Sequence, residues 1–186
     1  MQFGGYHIYD QHAPHFLTLT VTDWIDAFSR PTYKQLAIDS LKFYQDSRGL
    51  IIYGYVLMSN HLHMIAQTPD NKLSDFIRDY KRWISRQMRI LIEEENESRL
   101  EWMKNRFEWR GRINAQNIDF QFWEVGNHPK VILTPDFAWQ KLEYIHMNPV
   151  RAQIVAEPEH YLYSSAIDYA GGRGLLPIEF LDIQMK

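Results

Sequence analysis

At 186 residues, with 45% hydrophobic and 15% aromatic content, the chain has the size and apolar share of one ordinary domain able to bury a core. Its net charge of −3 argues against a general polyanion binder, so any nucleic-acid surface has to be a local basic patch. Cysteine is absent, which excludes disulfides and thiolate metal sites, and no stretch approaches the roughly 18 apolar residues of a membrane span. The opening MQFGGYHIYDQHAPHF also lacks the basic and apolar regions of a secretory leader, so the expected setting is a reducing cytoplasm.

Taken in order, residues 1–12 read as a loose lead-in. Residues 15–21, HFLTLTV, are rich in β-branched and aromatic side chains and predict a strand. Ser29-Arg30-Pro31 then opens a helix with Ser29 as its cap. Leu36, Ile38, Leu41 and Tyr44 supply its apolar positions, and Gly49 suits the left-handed residue after its last turn. Residues 50–57 and 61–67 follow as two strands meeting at the polar break Met58-Ser59-Asn60. Strand, helix, strand, strand is the opening of a ferredoxin-like or RRM-like α+β sandwich, with the last two strands paired as an antiparallel hairpin.

The second strand of that hairpin, HLHMIAQ, is the stretch around which the chain is organised. Side chains alternate along a strand, so His61, His63 and Ile65 point one way and Leu62, Met64 and Ala66 the other. Two imidazoles on one face, one residue apart, can share a divalent cation. They can equally be an exposed or hydrogen-bonded pair on a half-buried strand.

Residues 71–94 give the clearest helix, with Leu73, Ile77, Tyr80, Ile84, Met88 and Leu91 in one stripe. Arg78, Arg82, Arg86 and Arg89 fall almost opposite, with Trp83 beside them. Most such rows are solvated faces, yet this one is also a phosphate-sized basic stripe with an aromatic for base stacking. Residues 93–112 are charged and mixed; they either continue the helix or form a loop and a second short helix. Residues 118–125, IDFQFWEV, predict a further strand, and Gly126-Asn127-His128-Pro129 a turn.

Thr134-Pro135-Asp136 starts a helix with Thr as cap, Pro in the first position and Asp in the first turn. It is expected over residues 137–148 and to stop at Pro149. Ala138, Leu142 and Ile145 form its buried side, while Gln140, Tyr144 and Asn148 share another face. His146 points elsewhere and is expected at the surface. Beyond it, Tyr161, Tyr163 and Tyr169 read as anchors, and Ser164-Ser165 caps a short helix before Gly171-Gly172. Residues 1–170 are expected to form one functional domain and residues 171–186 a tail.

A tyrosine on a helix face beside a His-x-His strand suggests one chemistry. A phenol oxygen can attack a phosphodiester when a bound cation polarises the phosphate. With a pKa of about 10, phenolate leaves far more readily than an alkoxide, which suits a reversible transfer. A lone tyrosine is more often ordinary packing at a helix–sheet boundary. Here the His–hydrophobe–His strand comes with YIHMNPVRAQIV at 144–155, FQFWEVGNHPK upstream and HYLYSSAIDY downstream. This combination resembles the HUH-type single-tyrosine transposases, and among them the REP-associated tyrosine transposases, from about residue 15 to residue 169.

The resemblance implies a ferredoxin-like sandwich whose antiparallel sheet carries the His-x-His strand, with helices on one face and a C-terminal tyrosine helix. It implies His61 and His63 as metal ligands and Tyr144 as catalytic nucleophile. Asn148 matches the position of a third ligand, although capping the helix end before Pro149 competes for it. His128 matches the family without a chemical role. The implied cofactor is a divalent metal, Mg2+ or Mn2+. The implied reaction is cleavage and rejoining of single-stranded DNA through a 5′-phosphotyrosine intermediate and a free 3′-hydroxyl. The implied partners are hairpins of palindromic repeats, bound by a monomer or homodimer. Arg78, Arg82, Trp83, Arg86 and Arg89, together with Trp102 and Trp109, are the candidates for contacting that DNA. The acid-rich segment 93–112 reads as a lineage-specific insertion.

Two other readings stay open on the residues alone. One is a non-catalytic single-stranded nucleic-acid-binding module on the same sandwich, with Tyr144 as packing. The other is a metal hydrolase in which the histidines activate water, although no acidic residue is spaced to complete a zinc site.

Overall fold

In the computed structural model, which describes residues 8–70, 72–94, 98–114 and 119–181, one antiparallel sheet runs in the order β2-β3-β1-β4. Its strands are β1 (His15–Thr20), β2 (Ile51–Leu57), β3 (His61–Gln67) and β4 (Lys130–Val131). Helix α1 (Pro31–Arg48) joins β1 to β2, and α2 (Leu73–Glu94) follows β3. That order and arrangement make the expected ferredoxin-like α+β sandwich.

Strand alternation sorts the apolar side chains into two cores. Leu17, Leu19, Leu62, Met64 and Ala66 point to one face, where Ile38 and Leu41 of α1 and Ile77, Tyr80 and Ile84 of α2 cover them. On the other face Phe16, Val56 and Ile65 pack with Leu142 and Ile145 of α4 (Pro135–His146). Helix α4, which carries Tyr144, therefore closes the face from which the histidines project. In the β1–β3 ladder Thr20 lies opposite His61 and Thr18 opposite His63.

One glycine sets how closely α4 lies on the sheet. The β2–β3 register shifts between Ile52 and Gly54, leaving Tyr53 as the extra residue of a bulge. A Cβ at Gly54 would sit 2.5 Å from Leu142 Cδ1, closer than carbon atoms pack, so a larger residue there would push against the helix.

Several expectations change in detail. Ser29 does not cap α1: Arg30 holds that position without a side-chain bond, and Ser29 Oγ accepts instead from Arg99 at 2.7 Å. Gly49 does end α1 in the left-handed region, at φ 66°. The buried stripe of α2 takes in Phe76 and Ile92, with Leu91 only partly covered. Segment 93–112 resolves as a second helix, α3 (Leu100–Ile113), which buries Met103 and Phe107. Asn71, the expected first residue of α2, lies outside the described residues, as do residues 95–97 of the mixed segment.

The strand expected over residues 118–125 does not form a regular ladder; Ile118 lies outside the described residues, and the rest makes a single bridge, Trp123 to Val21. Phe122 and Trp123 are both buried, against Phe28, so two successive side chains turn inward and the period of two is lost. The segment instead follows the edge of β1 through spaced bonds, Thr22 N–H to Phe122 O (2.8 Å), Glu124 N–H to Thr20 O (2.8 Å) and Thr18 N–H to Asn127 O (3.0 Å). Gly126 (φ 91°) and His128 (φ 40°) then turn the chain into β4, which pairs with His15 and Phe16.

Thr134 caps α4 as expected, its Oγ1 accepting from Phe137 N–H. Helix α4 ends at His146, two residues short of the expected Asn148, but the chain beyond does not become extended. Met147 stays helical (φ −77°, ψ −5°), and Pro149 falls in the first turn of α5 (Asn148–Arg151), where its missing N–H is not needed. His146 is half-buried rather than fully at the surface. Its ring lies 5.1 Å from that of Tyr169, and its Nε2 is 3.0 Å from Ser165 Oγ, because the C-terminal segment folds back over that side of α4. Ser164 Oγ accepts from Ala166 N–H at the start of α6 (Ala166–Tyr169). The returning segment covers the outer edge of β2, with Leu57 N–H bonded to Tyr163 O, Ser165 N–H to Tyr55 O and Glu179 N–H to Ile52 O. Leu176, in the expected tail, is buried in the main core, while the last residues, 182–186, lie outside the described ones. Among the described residues no helix is long and apolar enough to cross a membrane.

Candidate functional site

Strand β3 presents His61 and His63 side by side toward α4, their ring centroids 4.6 Å apart. Tyr144 comes down from α4 to meet them, its ring 5.2 Å from that of His63. Phe16 of β1 stacks on His63 at 5.4 Å and meets the Tyr144 ring at 6.0 Å, so an apolar floor fixes both. Tyr144 keeps 38% of its surface exposed and is not sealed in the core.

The hydrogen bonds behind the histidines decide which nitrogens face outward. Asn60 Nδ2 donates to Trp24 O (3.2 Å) and to Asp26 Oδ1 (3.0 Å), both of which can only accept. Asn60 Oδ1 must therefore be the atom 2.7 Å from His61 Nδ1, and that nitrogen must carry the proton. In neutral His61 the lone pair is left on Nε2, which is buried near the Asn148 side chain without a well-formed hydrogen bond. His63 Nδ1 is 3.0 Å from Thr18 Oγ1; donation there leaves its Nε2 lone pair free as well.

Burial holds both imidazoles in the neutral form that a metal requires. Desolvation, then the neighbouring His61 and Lys141, push the His63 pKa down to about 3. His61 is also lowered by burial, with nearby Asn148 and Asp26 partly offsetting the effect. Two neutral imidazoles, with the Asn148 side chain near His61, form a fitting donor set for a divalent ion. Among the described residues no group of three or more His, Asp, Glu or Cys side chains is placed to hold one, so a cation here would depend on this pair and Asn148.

Two cations flank the tyrosine. Lys141 Nζ lies 5.7 Å from the Tyr144 ring centre and 5.1 Å from that of Phe16, while the Arg151 guanidinium lies 5.6 Å from the Tyr144 ring. Partial burial and then the charge of Lys130 lower the Lys141 pKa, which marks a basic patch on the tyrosine side. Lone pairs for a cation, a phenol and fixed positive charges thus meet over the two central strands on one face of the sheet, a set able to grip a phosphate diester and attack it.

The basic stripe of α2 lies elsewhere. Its helix covers the opposite face of the sheet, so Arg78, Arg82, Trp83, Arg86 and Arg89 are not brought together with the histidines. Arg78 is engaged by Asp75 (2.6 Å) and Asp79 (2.9 Å), and Arg89 lies over Phe120 at 5.4 Å. Trp102 and Trp109 are exposed on α3, with Arg106 stacked on Trp109 at 4.5 Å. The residues missed at sequence level are Thr18, Asn60, Lys141, Arg151 and Trp24, whose ring meets His61 edge-on at 5.7 Å. Only Asn60, in the polar break beside His61, and the two cations around Tyr144 carried a signal in the chain itself.

No protein-family model matches the chain, and no curated protein matches it in sequence. Among solved structures, a REP-associated tyrosine transposase bound to a REP hairpin superposes over 100% of this chain and 94% of its own, with a TM-score of 0.61 at 18% identity. A Deinococcus radiodurans R1 protein described as a transposase overlaps less closely, over 78% of this chain and 95% of its own, with a TM-score of 0.41 at 15% identity. The likeness is one of architecture: this chain is folded on the frame of a REP-associated tyrosine transposase.

Proposed function

We propose that this protein cleaves and rejoins single-stranded DNA, with Tyr144 as the nucleophile. The observation that carries the proposal is the Tyr144 ring 5.2 Å from His63, on the face where His61 and His63 stand side by side, 4.6 Å apart. His61, His63 and Asn148 would hold a divalent ion, Mg2+ or Mn2+, whose chemistry is to polarise the scissile phosphate and offset its charge.

Tyr144 Oη attacks the phosphorus and its proton passes to solvent, to which the ring is open. The bond from phosphorus to the 3′-oxygen breaks, and that oxygen takes a proton to become a free 3′-hydroxyl. The other product half stays on the protein as a 5′-phosphotyrosine. Rejoining is the reverse: a 3′-hydroxyl attacks, the phosphorus–tyrosine bond breaks and the phenol is reprotonated. Bond energy is kept throughout, so no nucleotide triphosphate is needed. Lys141 and Arg151 offset charge on the phosphate and on the departing phenolate.

The structural neighbour is bound to a REP hairpin, and a hairpin flanked by single-stranded DNA is the substrate class proposed for this chain. Arg82, Arg86 and Trp83, with Arg78 and Arg89 beside them, are proposed for a second contact with that hairpin, away from the reacting bond. Tyr144 lies beside the histidines of its own chain, which supports a site built within one copy, whether the protein acts as a monomer or a homodimer. The test is a denaturing gel after incubation with hairpin-bearing single-stranded DNA and Mn2+. A covalent adduct lost in Tyr144→Phe with binding retained supports the enzyme; binding without any adduct in the wild type supports a binding module instead.

A further inference from the structure

Trp24 is an exposed aromatic placed at considerable structural cost. It keeps 60% of its surface open, and both it and Asp23 adopt left-handed backbone, at φ 57° and 54°. Two successive non-glycine residues in that region are strained and persist only where neighbours hold them. The hold is explicit. Asp23 N–H donates to Glu124 Oε1 at 2.8 Å, and the Asp23 carboxylate accepts from Arg106 Nε at 2.6 Å. Arg110 ties the same group to Glu124, at 3.6 Å from Asp23 and 3.2 Å from Glu124. Asn60 then joins the turn to the site, donating to Trp24 O while its own Oδ1 accepts from His61.

The rings run in succession Trp24, His61, His63, Tyr144, with neighbouring centroids 5.7, 4.6 and 5.2 Å apart. Trp24 and Tyr144 thus flank the histidine pair from opposite ends. In an in-line displacement the leaving oxygen departs on the side opposite the nucleophile. With Tyr144 at one end, the leaving 3′-oxygen and its nucleotide lie toward the other.

We infer that Trp24 is a stacking platform for the nucleobase on the 3′-hydroxyl side of the cleaved bond, keeping that strand in place for rejoining. The inference rests on the strand-cleaving role proposed above and adds a need that role creates. Tyr144 tethers only the 5′-phosphate half covalently, so the other half stays only if something else grips it. A flat, exposed indole supplies such a grip for any base. Trp24 is a positioning residue: it makes and breaks no bond.

The experiment measures adduct formation and rejoining separately, on a hairpin oligonucleotide with single-stranded flanks, in Trp24→Ala, Trp24→Leu and Trp24→Phe. Rejoining relative to cleavage is expected to fall about tenfold or more in the Ala and Leu variants and to return in Phe, whose ring still stacks. An abasic nucleotide immediately 5′ of the cleaved bond should reproduce the loss in the wild type and add nothing in Trp24→Ala. Unchanged rejoining in all three variants overturns the inference, as does a Phe variant no better than Leu. Should the wild type form no adduct at all, the strand-cleaving role fails first. Quenching of a 2-aminopurine oligonucleotide then decides for Trp24: quenching lost in Trp24→Ala supports a base platform, and quenching unaltered overturns it. Thermal melting of each variant separates these effects from unfolding, since an exposed side chain should change Tm little.

Discussion

Thr18 stands directly across the β1–β3 ladder from His63, and its hydroxyl lies 3.0 Å from the imidazole Nδ1. That pairing holds the ring by Nδ1 and leaves Nε2 as its other nitrogen. Thr18→Val keeps the shape and removes the partner. Mn2+ affinity, measured by titration calorimetry, is expected to fall about 10- to 100-fold, as for other groups that orient a ligand from behind. The fold should survive, because valine suits a strand.

The buried histidines make the fold acid-sensitive. Burial lowers His63 to about 3 and His146 to about 4, and lowers His61 as well. As pH falls below the ordinary histidine value of about 6.5, the unfolded chain takes up protons first and the folded chain loses stability. Each histidine costs about 1.4 kcal/mol per pH unit while only the unfolded state is protonated. Urea melts at pH 7.5 and pH 5 should show the midpoint falling with acidification. In His146→Leu the dependence on pH should be shallower.

Gly54 sets the seat of the tyrosine helix. A Cβ there would meet Leu142 Cδ1 at 2.5 Å, and valine would press harder still. Gly54→Val is expected to cost about 1–3 kcal/mol through overpacking and to lift α4 from the sheet. Adduct yield at Tyr144 should drop more than stability alone explains, as judged by urea melts and gels on the same preparation.

The two basic regions should separate in function. Lys141→Met and Arg151→Met, beside Tyr144, are expected to slow adduct formation by about tenfold or more, since fixed charges near a reacting phosphate carry that weight. Arg82→Met and Arg86→Met, across the sheet, should weaken hairpin binding and flatten its salt dependence by about one ion each, leaving the single-turnover rate of bound DNA unchanged. Fluorescence anisotropy at several salt concentrations reads the second effect and a quenched time course the first.

The strands and the long helices were legible because their apolar spacing had one solution: His61 and His63 had to share a face once Leu62 and Met64 were buried. The strand expected over residues 118–125 was not, because its alternation was broken by Phe122 and Trp123 both turning inward against Phe28, a tertiary packing that period counting does not reveal. His146 was misplaced for a related reason, since the segment that covers it arrives from Ser165. Thr18, too, becomes part of the site only through strand register, which links residues far apart in the chain. Pro149 marked the end of the tyrosine helix to within two residues, but not the short helix after it, because the ring that breaks a helix interior also fits the first turn of a new one.

The most direct measurement is mass spectrometry of the protein after incubation with hairpin-bearing single-stranded DNA and Mn2+, followed by nuclease and protease digestion. A nucleotide phosphate on the peptide containing Tyr144, absent in Tyr144→Phe and in His61→Ala, is the predicted result. Cleaved DNA with nothing attached to Tyr144, or an adduct that persists without that phenol, would contradict it.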